Sequence, residues 1–408
     1  MSHNHKKPEH QGKGANPTIF LPPLSLYVHI PWCVRKCPYC DFNSHVHNSS
    51  ERANLVEQNL PEDAYLAQLI LDLEADLAFV QGRALKSIFV GGGTPSLMSS
   101  EFYSALISHI ASIIPFDQDI EITLEANPGT TEMKRFEGYR AAGINRLSIG
   151  VQSFHPLHLK SLGRIHSGDD AKRAIEQAQR AGFDNLNIDL MHGLSGQTVD
   201  EARGDLQQAI SLGPTHLSWY QLTIEQNTEY FRHPPKLPED EALWEIQQVG
   251  VELLKRNHYS QYEVSAFSLL DRQAKHNLNY WTFGDYIGIG AGAHSKITLF
   301  DEATSDSEYI LRYRKTRMPK DYLQAKPYFR VGEDALKQED LGFEFLMNVL
   351  RLNEGVEESL FEQRTGLPVS SLEPQLTECR QLGLIQENRL ATTRKGHLFL
   401  NSVLEKFS

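Results

Sequence analysis

The chain has 408 residues, 40% of them hydrophobic and 23% charged, with a formal net charge of -12. That length exceeds what one ordinary hydrophobic core serves unless the core is a barrel, so a large α/β domain with a smaller companion is expected. The acidic balance excludes a nucleic-acid or anionic-membrane partner held by bulk charge, and no apolar run approaches the roughly 20 residues that a bilayer crossing requires.

Residues 1–23 are polar, with His3, His5 and His10 among lysines and no apolar periodicity, and a disordered tail is expected there. The apolar middle of a signal peptide is missing from residues 1–18, which makes the cytoplasm the expected compartment. From residue 24 short β-branched runs alternate with longer amphipathic stretches. The predicted strands are 24–30, 86–92, 119–127, 145–152, 184–193 and 215–222, with helical patterns between them such as 61–80 and 167–182. In the latter Ser167 is a candidate N-cap, acids fill the first turn and Gly182 ends the helix. Six strand–helix repeats imply a parallel sheet, and their even rhythm favours a partial (β/α)6 TIM-like barrel over 24–230, with ligands at the carboxyl ends of the strands.

After about residue 230 the rhythm breaks. Residues 231–332 are expected to connect, and they contain the stretches "HNLNYW" and "GIGAGAHS". Beyond 333 the patterns predict helices over 335–351, 356–364 and 371–382, a small hairpin in "LIQENRLATT" and a last helix from 394, a mainly helical, winged-helix-like domain. Residues 371–408 carry a net charge of only +1, too weak a footprint for phosphate binding, so a lid or docking role is expected in place of DNA recognition.

Three of the four cysteines, Cys33, Cys37 and Cys40, follow the first strand in a C-x3-C-x2-C arrangement, while Cys379 is far along the chain. In a reducing compartment clustered thiols point to metal or redox chemistry. Three readings stand on the residues alone: a zinc site completed by His29, His45 or His47, a catalytic thiol, or a cubane iron–sulfur cluster with one iron left open to an exchangeable ligand.

This loop, after the strand "LYVHIP" and with Tyr39 before its last cysteine, resembles that of the radical S-adenosylmethionine (SAM) superfamily. The resemblance implies that Cys33, Cys37 and Cys40 hold a 4Fe-4S cluster whose open iron SAM chelates. Further motifs agree with it. "FVGGGTPS" ends the second strand, and its glycines let backbone approach a ligand, which makes Gly92, Gly93 and Thr94 candidate contacts to the methionine part of SAM. Glu125 in "TLEANPG" is a carboxylate suited to a ribose diol, and Arg164 in "LGRIH" could neutralise a carboxylate. Gln152, Asp189, Tyr27 and Tyr39 match further SAM-contacting positions of the superfamily.

From residue 24 onward the chain is most similar to the oxygen-independent coproporphyrinogen III oxidase group. Phe42 stands where the oxidase pattern has a further cysteine, and the chain is expected to lack the longer N-terminal segment of the oxidase. These departures, with "HNLNYW", resemble a haem-carrying branch of the group. They imply a chaperone that binds haem and transfers it to acceptor proteins, respiratory haem proteins among them, assembling as a homodimer and with no nucleic acid as partner. His276, beside Tyr280 and Trp281, is then a candidate haem ligand, and His294 a second candidate for haem or cofactor contact. The alternative is the oxidase itself, a radical SAM oxidative decarboxylase of porphyrin biosynthesis.

Overall fold

The computed structural model of the chain describes residues 20–47, 60–129, 133–300, 308–325 and 329–408. The expected polar tail lies, up to residue 19, outside the described residues. All six expected strands form: β1 (Leu24–Ile30), β2 (Leu85–Gly92), β3 (Phe116–Ala126), β4 (Arg146–Gln152), β5 (Leu186–His192) and β6 (His216–Gln221). They lie side by side in chain order, every neighbouring pair parallel.

The helices between them are where their caps put them. α1 (Glu62–Ala75) and α2 (Ser100–Ile113) follow β1 and β2; α3 (Phe136–Ala141), α4 (Gly168–Arg180) and α5 (Val199–Ser211) follow β3, β4 and β5. Ser167 caps α4 in a reciprocal box with Asp170, and Thr198 does the same for α5 with Glu201, so each helix start has its free N–H groups partly satisfied. On β1 the even residues Leu24, Leu26, Val28 and Ile30 are fully buried, and they belong to the same core as residues of α1 and α2. Each such side chain contributes about 1.5–3 kcal/mol.

The alternate residues, on the other face of these strands, face the barrel interior and are largely polar. Ser25 Oγ and Ser87 Oγ are 2.8 Å apart, Asn187 Nδ2 donates to Ser148 Oγ at 2.7 Å, and Ser218 Oγ donates to Asn187 Oδ1 at 3.1 Å. His216 lies between Asn187 Oδ1 (2.6 Å) and Tyr262 Oη (2.8 Å). Burial drives its pKa well down, so the ring is neutral, Nδ1–H donates to the amide oxygen and Nε2 accepts from the phenol.

Residues beyond β6 extend both edges of the sheet. α6 (Asp240–Arg256) packs beside α5, and the short strands β7 (Ser260–Glu263) and β8 (Ala266–Ser268) add antiparallel pairs next to β6. On the other side of β1 lies β9 (Asp285–Ile289), a seventh parallel strand, followed by the antiparallel β10 (His294–Phe300), β11 (Glu308–Lys315) and β12 (Arg330–Ala335). The twelve-stranded sheet runs β12-β11-β10-β9-β1-β2-β3-β4-β5-β6-β8-β7. Between β8 and β9 the helix α7 (Lys275–Trp281) plugs the barrel at the amino ends of its strands: Asn279 Nδ2 donates to Ser25 Oγ and to the Asp285 carbonyl, and Asn277 Nδ2 donates to Tyr262 Oη.

The C-terminal part is helical, with α8 (Leu341–Val349), α9 (Glu358–Thr365), α10 (Gln375–Gln381) and two short helices after Thr393. They share a second core of Phe345, Phe361, Leu376, Cys379 and Val403, which accounts for the lone cysteine. The helix expected from 335 begins only at Leu341, because 330–335 is taken by β12 at the sheet edge. The expected hairpin is a single antiparallel bridge between Ile385 and Thr392.

Candidate cofactor site at the cysteine loop

The cysteine loop is closed at its base, where Trp32–Cys33 pairs in parallel with His45–Val46. Inside it the Cys40 N–H donates to the Cys37 carbonyl, and Lys36 Nζ donates to the carbonyls of Phe42 and Ser44 at 3.2 and 3.3 Å. Cys33, Cys37 and Cys40 thereby line one cavity of about 380 Å³ at the carboxyl ends of the strands, and none is in a disulfide. Burial pushes the Cys33 and Cys40 thiols up, opposed by the hydroxyls of Thr94 at Cys33 and Ser44 at Cys40. Arg164 Nη1 lies 3.7 Å from Cys37 Sγ. The hydroxyl donors only partly offset burial at Cys33 and Cys40, and a metal centre would supply the positive charge that deprotonation of buried thiols needs, so the residues fit such a group.

A zinc site completed by a nearby histidine fits less well. His29 Nε2–H donates to the Asn43 carbonyl at 2.9 Å and Nδ1 accepts from Tyr27 Oη at 2.8 Å, a tautomer consistent with a pKa lowered to about 4 by burial. Both ring nitrogens are occupied. His45 Nε2 lies 3.1 Å from Asn43 Oδ1.

The glycine motif follows from close packing against this loop. Gly93 N–H donates to the Ile30 carbonyl, Thr94 N–H donates to the Trp32 carbonyl, and a Cβ on Gly93 would come within 2.5 Å of that oxygen. Gly92 N–H donates to Glu125 Oε2 at 3.1 Å. Arg164 Nη2 donates to Asn127 Oδ1 (2.6 Å) and to the Gly150 carbonyl (2.5 Å), and Asn127 Nδ2 donates to Thr94 Oγ1 (3.1 Å). A polar belt thus runs from Cys37 through Arg164 and Asn127 to Thr94, above Cys33. Gln152, in the left-handed region at φ 70°, accepts from Tyr220 Oη at 2.7 Å. Asp189 accepts from Ser148 Oγ and Asn187 Nδ2.

Of the fourteen residues singled out from the sequence, the cavity lining unites Cys33, Cys37, Tyr39, Cys40, Gly92, Gly93, Thr94, Glu125, Gln152, Arg164 and Asp189. Tyr27 lies beneath it, stacked on Phe89 and bonded to His29. His276 belongs to the α7 plug, its ring stacked on Phe89 at 4.3 Å, with Nδ1 buried and unpartnered. His294 opens β10, exposed and opposite Arg314 of β11. Neither histidine lines the cavity.

A sequence model described as the radical SAM superfamily matches residues 27–209, and one described as the HemN C-terminal domain matches residues 336–399. The chain is 50% identical over 391 residues to "Heme chaperone HemW" of Escherichia coli (strain K12), an alignment covering 95% of this chain and 99% of that protein. The chain belongs to the HemW family. The Haemophilus influenzae HemW is 49% identical over 95% of this chain and 98% of its own length, and the Bacillus subtilis one 32% identical over 94% and 98%. Among solved structures, coproporphyrinogen III oxidase (HemN) from Escherichia coli superposes with a TM-score of 0.77 at 24% identity, covering 97% of this chain and 91% of that one, which shows the shared fold.

In this HemW-family chain the residues that sequence reasoning passed over are supports. Asn43 Nδ2 donates to the Ala291 and Arg317 carbonyls at 2.8 and 2.9 Å, tying the cysteine loop to the glycine run 288–293. Gly290, at φ 103°, passes so near β1 that a Cβ there would lie 2.4 Å from the His29 carbonyl. Tyr220, at the carboxyl end of β6, was readable from the barrel rule alone; Asn43 had no sequence signal.

Glu125 carries a testable electrostatic consequence. Burial, and then the nearby Asp189, pushes its carboxyl up from 4.5 to about 8. The folded chain therefore retains a proton that the unfolded chain releases, and the stability this group contributes falls as pH rises from about 4.5 to about 8. Asp189→Asn is expected to lower the Glu125 midpoint and flatten that decline. Infrared absorption of the protonated carboxyl at pH 7, weaker in the variant, checks it.

Proposed function

We propose that this chain binds haem and hands it to acceptor proteins, and that its cysteine loop carries a 4Fe-4S cluster with SAM as the exchangeable ligand. The observation that carries the reading is the 50% identity, over nearly the full length of both chains, to a protein named a heme chaperone. Cys33, Cys37 and Cys40 would hold the cluster, which supplies an open iron position. Gly92, Gly93, Thr94, Gln152, Arg164 and Asp189 would orient SAM, and Glu125 would accept from its ribose. Tyr39, packed at 6.5 Å from Tyr230, would close one side of the cavity against water.

For haem, the two candidate histidines differ in access. His294 is exposed beside Arg314, an arrangement that offers an imidazole to iron and a guanidinium to a propionate. His276 is neutral, its pKa lowered to about 4 by burial, but α7 would have to shift before it met a porphyrin. Haem titrated into the purified full-length chain is expected to shift the Soret band, and His294→Ala to weaken the affinity by at least about tenfold. Band and affinity left intact in both His294→Ala and His276→Ala would refute the assignment of haem ligands. Conversion of coproporphyrinogen III to protoporphyrinogen by reduced protein with SAM would overturn the chaperone reading itself.

A further inference from the structure

Outside the cysteine cavity, β4 runs into a loop and the short helix Pro156–Ser161, which faces the start of α5. His155 precedes that helix and His158 lies one turn later, so the i, i+3 spacing brings both rings to one side, with centroids 4.8 Å apart. Glu201 completes the group from α5: its Oε1 is 3.6 Å from His155 Nε2 and its Oε2 is 3.5 Å from His158 Nε2. The donor atoms of these three side chains all lie within 4.8 Å of one another, near enough to share a single ion.

Two further observations point to a ligand. His158 is almost fully buried, at 4% exposure, yet its Nε2 makes no hydrogen bond, a costly state for a polar atom. Glu201 Oε2 is committed to the α5 capping box through the N–H and hydroxyl of Thr198, which leaves Oε1 as a free acceptor. Nearby, Asp205 accepts from Ser153 Oγ at 2.6 Å and from the Phe154 N–H at 2.7 Å, fixing the loop that presents His155.

We propose that His155, His158 and Glu201 bind a divalent transition-metal ion of the zinc type, tying the loop after Gln152 to α5. Two imidazoles and a carboxylate are a common zinc donor set, and bonds of about 2.0–2.1 Å to a tetrahedral ion imply donor separations of roughly 3.3 Å, near the two nitrogen–oxygen distances seen. His155 and Glu201 are each about a third exposed, so the ion has a path from solvent and a fourth position for water. The same cluster without metal would be a pair of histidine–glutamate ion pairs. The two differ in what they predict for added metal.

Cobalt(II) titrated into the full-length chain carrying His3→Ala, His5→Ala and His10→Ala, which removes the histidines of the tail, separates the sites by spectrum. Cobalt on the three thiols shows sulfur-to-metal charge transfer, whereas the proposed site adds ligand-field bands without it. One equivalent of the second kind is expected. His158→Ala is expected to weaken it at least about tenfold, and so is Glu201→Gln, which keeps a capping-box side chain at that position. His155→Ala, at a partly exposed position, serves as a second probe, with circular dichroism confirming the fold. Bands that survive in all three variants, or cobalt absorption that carries thiolate charge transfer throughout, would overturn the assignment.

Discussion

Cys37→Ser is expected to abolish iron and sulfide retention while leaving the chain folded. Cys37 is only partly buried and its sulfur meets Arg164 at 3.7 Å, so exchanging sulfur for oxygen alters little packing, and a surface-like change of about 0.5 kcal/mol or less is expected in thermal unfolding of the iron-free chain. The effect on a cluster is far larger. Cys33, Cys37 and Cys40 would be its only protein ligands, and a serine hydroxyl does not ionise near neutral pH. Iron analysis after anaerobic reconstitution should fall from about four per chain toward zero. Cys379→Ser, in the second core, should leave the count unchanged. Equal iron in Cys37→Ser and the parent chain would exclude the three-thiol cluster.

How much of this was legible in the sequence depends on the range of the interaction that fixed each part. The six parallel strands and the caps of α4 and α5 are local: β-branched runs, Ser167 with Asp170, and Thr198 with Glu201 each act within a few residues. The seventh parallel strand was not legible, because "DYIGI" runs straight into the glycine-rich stretch of the connecting region, and only its pairing with β1, some 260 residues earlier, makes it a strand. β12 failed for the opposite reason: "RVGEDA" is a polar edge strand, exposed along most of its length, with no apolar period to mark it.

The candidate site divides the same way. Cysteines, glycines, acids and other polar residues at and after strand ends carry their chemistry in their identity, and eleven such residues do meet in one cavity. The surroundings of "HNLNYW" were hidden. Its two asparagines reach into the barrel, to Ser25 and Tyr262, while Trp281 packs against the C-terminal core with Arg351 over its ring at 4.4 Å. No spacing rule foretells a helix that both plugs the barrel and packs against the second core.

Lys315→Met is expected to be among the most destabilising single changes in the chain, at about 3–5 kcal/mol. Lys315 is fully buried on β11, and its ammonium donates to Asp72 Oδ1 and Asp76 Oδ2, both on or next to α1, at 2.5 Å each. Tyr322 Oη donates to Asp72 at 2.7 Å and Tyr313 Oη donates to Asp76 at 2.8 Å. Burial pushes the Asp72 carboxyl up even with Lys315 opposing it. Methionine fills the space but leaves two carboxylates with no buried ammonium, and Arg330, 3.8 Å from Asp76, is a poor substitute. The raised Asp72 pKa makes the sign definite: an acid that binds its proton more tightly folded than unfolded loses stability as pH rises, so the variant should be relatively less unstable in acid. Adding Asp72→Asn should recover part of the loss, the coupling being read from a double-mutant cycle in urea. The damage should also reach the cysteine loop. Asp72 Oδ2 accepts from the Gly290 N–H at 3.1 Å, and the next residue, Ala291, offers the carbonyl that holds Asn43. Iron loss from reconstituted Lys315→Met should therefore be faster than from the parent at temperatures where both remain folded, and equal rates would show that the buried charges stabilise the sheet without supporting the loop.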